Sequence, residues 1–493
     1  MSVLRRLLSR SWGVHPDDRK RPASEAPARA IAAPAVLHIP LAQHVGAAAR
    51  PAVAVGQRVL KGQCIAAAHG AISAPVHASA SGRVIAIGEV LAPHPSGLPV
   101  QAITIESDGE ERWIEAELPA DPLRLDPAEV AKRVAEAGVV GLGGATFPAS
   151  VKLGLGLRAR VRTLIINGSE CEPYLSCDDR LMRERAAEVL RGVRLMLHAT
   201  GAREALVGIE ANKPEAVAAM RAAAQRVSDV RVCVVPPRYP MGSDRQLILE
   251  LTGIEVPADS RAADTGVLVH NVGTAFAVHE AVALGRPLVS RYVTVNGEAV
   301  REPGNYIVPI GTLVDDLLAA CGGLREAPAR LLMGGPMMGL ALPSGRAPVV
   351  KGTGGILALS AAEVGAREPG PCIRCGSCVR ACPVGLLPLE MARHVQAGSL
   401  DGAVDLGLKD CIACGCCAWV CPSRIPLVQA FAHAKGELAE RERARLRRDA
   451  ARKLAQARAE RIAREDKERA EAAARRKAER DAARAAQSNP EPA

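Results

Sequence analysis

Eight of the fourteen cysteines in this chain fall into two copies of one spacing, C-x-x-C-x-x-C-x-x-x-C-P. The first copy is Cys372, Cys375, Cys378 and Cys382, followed by Pro383; the second is Cys411, Cys414, Cys417 and Cys421, followed by Pro422. Three thiolates at this spacing can wrap three corners of a cubane iron–sulfur cluster, while the fourth cysteine points away and ligates a second cluster. The pattern therefore predicts two 4Fe-4S clusters, one on Cys372, Cys375, Cys378 and Cys421, the other on Cys411, Cys414, Cys417 and Cys382. Zinc wants four ligands per ion and leaves the third spaced cysteine and the trailing Cys-Pro unexplained. The proline after each run keeps a helix from continuing through it, and the fourth cysteine is expected in a following helix. Cys416 lies inside the second run but off its spacing and reads as a small packed side chain.

Two further segments carry polar chemistry. In GVVGLGGATFPASVK, Gly138 to Lys152, the residues Gly141, Gly143 and Gly144 free the backbone N–H groups to approach a phosphate or a ring edge, and Lys152 supplies a positive charge. The spacing is neither a dinucleotide fingerprint nor a P-loop, and a plain tight turn is the other reading. INGSECEPYLSCDDRLM, Ile166 to Met182, follows an apolar strand. It sets Asn167, Glu170, Glu172, Asp178 and Asp179 at a strand's C-terminal end, where α/β sheets bind ligands. A polar loop with a helix N-cap at Asp178 or Asp179 explains the same residues.

These groups need a large frame, and 493 residues supply about three or four domains. From Leu37 to Glu106 short strand-like runs alternate with glycine and proline. VGQRVLKGQCIA (Val55–Ala66) and SAPVHASASGRVIAIGE (Ser73–Glu89) look like the halves of a barrel-sandwich, lipoyl-like domain, over residues 31–115. The connection AAHGAI, Ala67 to Ile72, lacks the lysine of a swinging-cofactor carrier. Over 120–285, apolar runs ending at Asn167, Glu210 and Pro236 alternate with helical stretches, which predicts a largely parallel sheet. Paired strands around Asn296-Gly297 predict a hairpin in a β-grasp module at 286–350. The cysteine runs occupy 360–433, a charged tail 434–493, and an N-terminal docking segment 1–30.

Cys64, Cys171, Cys177, Cys233 and Cys321 have no framework spacing, which suits a reducing compartment. The opening residues lack the apolar core of a secretory signal. The uncharged stretch Ala30–Ala49 contains Pro34, His38, Pro40, Gln43 and His44, which excludes it as a bilayer span. A role at a membrane would run through partners or short amphipathic elements. Net charge is +10, and Lys435–Arg484 holds 18 Lys/Arg against 11 Asp/Glu. That tail reads as an exposed Ala-rich helix of roughly 75 Å. Its expected acid-before-base pairs are Asp449–Lys453, Glu460–Arg464, Glu465–Arg469 and Glu471–Arg475. It has no apolar heptad for a self-sufficient coiled coil. Contact with nucleic acid or anionic lipid is the other reading of its charge. Few aromatics and alternating signs speak against nucleic acid.

The order GLGGATFP, NGSECEPY, YPMGSDRQLI (Tyr239–Ile248) and HNVGTAFAVHEAV (His270–Val282) resembles the flavin-binding subunit of respiratory complex I. It is closer to the C-subunit family of Rnf (Rsx) ion-translocating electron transport complexes. That family also has a WGVHP element, here Trp12–Pro16, and the resemblance runs from Trp12 to about His433. The complex I relative's own iron–sulfur motif is missing, with the two-cluster ferredoxin-like domain in its stead. The fold implied is multidomain α/β and α+β: lipoyl-like barrel-sandwich, complex-I-like FMN-binding α/β domain, β-grasp module, ferredoxin-like domain and helical tail.

The resemblance implies that Gly141, Gly143 and Lys152, with Gly144 in the same loop, approach the phosphate and ring of FMN. It gives the flavin's polar edge to Asn167 and Glu170 and the phosphate side to Asn271. Phe147 and Glu172 match positions that hold the nicotinamide nucleotide. Asp244 stands where the family has Glu, and Ser243 where it has Gly. Hydride transfer moves two electrons, a flavin can release them singly, and each cluster accepts one. No general acid or nucleophile is required. The activity implied is electron transfer between NAD(H) and a low-potential ferredoxin, coupled by membrane subunits to ion movement. The partners implied are those subunits and a soluble ferredoxin-type subunit or ferredoxin, at the cytoplasmic face of the bacterial inner membrane. A flavin-free iron–sulfur adaptor is the rival reading.

Overall fold

The apolar run TLIING forms the strand Thr163–Gly168, whose Leu164, Ile165 and Ile166 are fully buried in a sheet covered on both faces. A computed structural model describes residues 12–365 and 368–487 of the chain. Residues 1–11 of the expected docking segment and 488–493 of the tail lie outside the described residues. The chain divides into two compact units, residues 1–389 with 410–428 and residues 390–409 with 429–493.

In the first unit Thr163–Gly168 pairs in parallel with Glu204–Glu210 and Val267–Asn271, and Val230–Val235 extends the sheet beyond Glu204–Glu210. On one face the helices Ala186–Thr200 and Val272–Ala283 bury Val189, Val193, Ala275 and Val278. They approach so closely that a Cβ at Gly192 would fall 1.7 Å from the Ala275 carbonyl oxygen. On the other face Asp244–Thr252 packs Leu247 and Ile248 on Ile165 and Leu206. Parallel order puts the strands' C-terminal ends on one rim, and Asn167 and Asn271 are register partners there.

The barrel-sandwich stretch forms a four-stranded sheet (Val36–Pro40, Pro99–Ser107, Gly82–Leu91, Arg58–Val59) and a three-stranded one (Arg50–Pro51, Cys64–Ala67, Val76–His77). Leu37, Ile39, Ile65, Val84, Ile103 and Ile105 are fully buried in its core. The β-grasp hairpin pairs Ser290–Asn296 with Gly304–Pro309. Asn296-Gly297 opens a longer connection there, since the ladder closes at Val295 with Gly304. That six-stranded sheet reaches outside 286–350. It takes Arg29–Ala30 at one edge and Gly355–Leu359 in its interior, the latter an apolar run buried at every residue.

Lys351 ties three of these modules. It is almost fully buried, and its ammonium donates to the carbonyls of Pro75 at 2.8 Å and Gly138 at 2.7 Å, while its backbone N–H meets the Gln43 side chain at 2.9 Å. Replacing it by alanine strands two buried carbonyls and is expected to lower stability by about 2–4 kcal/mol. Burial brings its pKa down to about 7 from the ordinary 10.5. The folded state therefore binds fewer protons between those values, and this group makes wild-type stability rise as pH climbs through that window. Denaturant unfolding at pH 7 and pH 9.5 should find the gap between Lys351→Ala and wild type widening at the higher pH.

In the second unit, Leu400, Ala403, Leu408, Phe431 and Ala434 are buried. The helix Leu427–Gln487 runs 61 residues and is almost entirely exposed from Glu440 through Ala485. The four expected ion pairs do not form among the described residues. Glu465 pairs with Arg461 at 3.7 Å, Glu471 with Lys467 at 4.0 Å, and Glu437 with Arg441 at 2.8 Å. Exposed pairs worth a few tenths of a kcal/mol do not dictate which neighbour each long side chain takes.

Candidate functional site

Asn271 ends its strand and caps the helix that follows, its Oδ1 accepting the Gly273 N–H at 2.7 Å. Its amide donates to the Asp178 carboxylate at 2.6 Å. Beside it, Asn167 accepts the Ser169 N–H at 3.0 Å and donates to the Gly242 carbonyl at 2.8 Å. The glycine loop closes where Gly141 N–H meets the Phe147 carbonyl at 2.8 Å, leaving Gly143 and Gly144 exposed at its tip. A side chain at Gly143 would start 3.4 Å from Asn271 Cβ, whereas one at Gly144 would meet nothing within 4 Å. The structure thus gathers Gly143, Asn167, Asn271 and Asp178 on the sheet's C-terminal rim.

Lys152 is held lower, donating to the Val269 carbonyl at 3.1 Å. Burial lowers its pKa against the opposing pull of the Asp244 charge. Asp244 is exposed at the start of its helix and accepts the Arg245 N–H at 2.8 Å. Phe147 enters the loop through its backbone. Glu172 makes its hydrogen bonds outside this group, to the N–H groups of Met337 and Met338.

The helix Cys177–Glu184 is capped neither by Asp178 nor by Asp179. Ser176 occupies the cap position, and Glu170, in a left-handed conformation at φ 47°, accepts the Asp178 N–H at 2.7 Å and the Asp179 N–H at 3.2 Å. A carboxylate eight and nine residues upstream reaches these donors because the loop doubles back. Lys20 fixes that doubling: its buried ammonium donates to the carbonyls of Glu170 and Glu172 at 2.9 Å each and to that of Leu175. Arg291, buried on the β-grasp hairpin, donates to the carbonyls of Leu142 and Thr353 at 3.3 Å each. Burial and then Glu170 raise the pKa of Asp178, while Asn271 and Arg291 oppose them. Sequence reasoning missed Lys20 and Arg291, since neither lies in a spaced motif.

This donor set fits FMN. Open glycine backbone, the N-terminus of the Val272–Ala283 helix and the buried Arg291 suit a phosphate, while the amides of Asn167 and Asn271 and the Asp178 carboxylate suit hydroxyl and ring groups.

The two cysteine runs share one backbone path. Arg374 and Ala413 are left-handed at φ 54° and 53°, Gly376 and Gly415 at 73° and 84°, and Gly385 and Arg424 at 72° and 50°. Short helices follow at Ser377–Ala381 and Cys416–Trp419. The third cysteine of each run sits on its helix and the fourth comes after it, so the fourth is not carried within a helix as expected. Burial, then the charges of Cys414, Cys411 and Cys382, push the Cys417 thiol up to about 12, so these four sulfurs share one neighbourhood. Crowded thiols of this kind fit a metal cluster, whose positive charge removes the penalty on their deprotonation.

The runs differ in exposure. Cys372 and Cys375 are exposed, flanked by Ile373 at 65% exposure and by Arg374, whereas Cys414 and Cys417 are buried. Cys416 is fully buried, as expected for a packed side chain. Tyr239 donates its hydroxyl to the Cys414 carbonyl at 2.7 Å and pairs through its backbone with Val14. Gln246 donates to the Pro383 carbonyl at 3.1 Å, and the Gly13 N–H to that of Ala381 at 3.0 Å. The WGVHP element therefore docks within the chain, with Arg238 stacked on Trp12 at 4.9 Å. The segment Tyr239–Ile248 joins the two sites, a role its polar residues did not reveal in sequence.

Family models match four stretches of the chain. Residues 9–110 match the RnfC barrel sandwich hybrid domain, 134–280 the Nuo51 FMN-binding domain, 292–341 the SLBB domain and 371–425 the 4Fe-4S dicluster domain. The chain is 53% identical over 431 residues to the C subunit of the ion-translocating oxidoreductase complex of Rhodobacter capsulatus, covering 87% of this chain and 83% of that one. The Pseudomonas aeruginosa counterpart is 49% identical over 435 residues, covering 85% of this chain and 56% of its own longer length. Among solved structures, an NAD+-reducing [NiFe]-hydrogenase in the H2-reduced state aligns with a TM-score of 0.45 at 20% identity, covering 64% of this chain and 61% of that chain.

Proposed function

The chain belongs to the C-subunit family of ion-translocating oxidoreductase complexes, and from that membership we propose that it relays electrons between NAD(H) and a one-electron partner, with the second cysteine run inward and the first outward. FMN, when bound, exchanges two electrons with a hydride carrier and single electrons with iron–sulfur clusters. The observation that carries this order is the Tyr239–Ile248 segment, which bonds Asn167 through Gly242, Cys414 through Tyr239 and Pro383 through Gln246. Asn167 and Asn271 orient the flavin, and Gly143 gives its backbone room. Glycine-loop N–H groups, Arg291 and Lys152 supply donors and positive charge on the phosphate side. Cys372, Cys375, Cys378 and Cys421 would hold the outer cluster, and Cys411, Cys414, Cys417 and Cys382 the inner one.

The exposed stretch around Ile373 is the face that meets a ferredoxin-type partner. Among the described residues no helix is long and apolar enough to cross a membrane, and ion movement is assigned to membrane subunits of the complex. The working position is the cytoplasmic face of the bacterial inner membrane. Cofactor analysis after anaerobic purification tests the composition, with one FMN and about eight irons per chain expected. About eight irons without flavin would overturn the flavin site and favour an iron–sulfur adaptor.

A further inference from the structure

The resemblance assigns Glu172 to the nicotinamide nucleotide, and its surroundings give it further work. Its Oε2 accepts the Met337 N–H at 3.1 Å and its Oε1 the Met338 N–H at 2.8 Å. Both donors lie in the turn Gly334–Gly339, which is closed by the Gly339 N–H on the Gly335 carbonyl at 2.8 Å and tied to the sheet by the Gly334 N–H on Gly355 at 2.7 Å. The turn presses on the carboxylate: a Cβ at Gly335 would fall 2.2 Å from Oε2. Its other side meets the second cysteine run. A Cβ at Gly415 would lie 3.0 Å from the Met337 carbonyl oxygen and 3.6 Å from Met337 Cε, and Met337 packs in the cluster that buries Cys414 and Cys416.

We infer that Glu172 is a positioning residue for the second cysteine run, which it holds through the Gly334–Gly339 turn. This rests on the reading that the run holds a cubane and that the chain reacts with NADH. Two backbone N–H bonds to one carboxylate fix the turn, and the turn fixes Gly415, the residue between Cys414 and the helix bearing Cys417. Burial pushes the Glu172 carboxyl up to about 7, so at pH 8 it is largely a carboxylate whose charge reaches Tyr239 and Cys414.

The test is an EPR-monitored redox titration at pH 8 of the full chain, comparing wild type with Glu172→Gln and Glu172→Asp. In Glu172→Gln, iron content is expected to stay at the wild-type value while one of the two cluster signals changes shape and its potential moves upward, since a buried negative charge has gone. Glu172→Asp keeps the charge and should hold that potential nearer wild type. Should Glu172→Gln fail to fold, Met337→Ala loosens the same contact and should perturb the same signal. Cluster signals that both stay still or move alike would overturn the inference. Wild-type protein that lacks flavin or ignores NADH would instead sink the reading beneath it.

Discussion

Replacing Cys414 by serine is expected to lower the iron content from about eight to about four per chain and to leave the remaining iron unresponsive to NADH. Replacing Cys375 should remove the same amount of iron yet leave NADH able to reduce what remains. The contrast follows from exposure and contact. Cys414 is buried, its carbonyl takes the Tyr239 hydroxyl, and Tyr239 opens the segment that bonds Asn167. Cys375 is exposed, with its sulfur 3.5 Å from the Ser377 hydroxyl. Iron assay with anaerobic absorbance reads both effects. Equal NADH response in the two variants would mean that the runs are not in series.

Gly143→Val should cost the protein its flavin and nothing else. The new side chain would stand 3.4 Å from Asn271 Cβ and fill the approach to the glycine loop. Gly143 is exposed and is not among the positive-φ glycines, so the fold should change by no more than about 0.5 kcal/mol. Flavin released on denaturation is expected to fall at least tenfold, a loss of about 1.4 kcal/mol or more in binding, with iron unchanged. Retention of full flavin would move the cradle away from this loop. The neighbouring Gly144 is a built-in comparison, because a Cβ there meets nothing and its φ of 104° makes any loss a matter of backbone strain.

Which parts of this were legible in sequence depends on how far the determining contacts reach. Cluster ligation imposes local spacing, so both cysteine runs stood out, and their common backbone follows from the same constraint. Alternating apolar runs gave the parallel sheet, and with it the rim where Asn167 and Asn271 meet. Lys20, Arg291 and Lys351 were illegible, because each is a buried cation held by carbonyls far along the chain and reads in sequence as a solvated charge. Glu170 was legible as a polar residue at a strand end but not as a helix cap, since that role needs the loop to double back on itself. Gly355–Leu359 lay outside the expected β-grasp stretch because a buried central strand of five apolar residues has no periodicity to betray its sheet.

On the proposed function, one chain converts between the two-electron chemistry of a nicotinamide and the one-electron chemistry of its clusters. Anaerobic mixing of the purified full chain with NADH, followed by absorbance and by EPR of frozen samples, tests it most directly. Flavin and cluster absorbance should both fall, and reduced-cluster signals should appear. Clusters that dithionite reduces but NADH leaves untouched would contradict it.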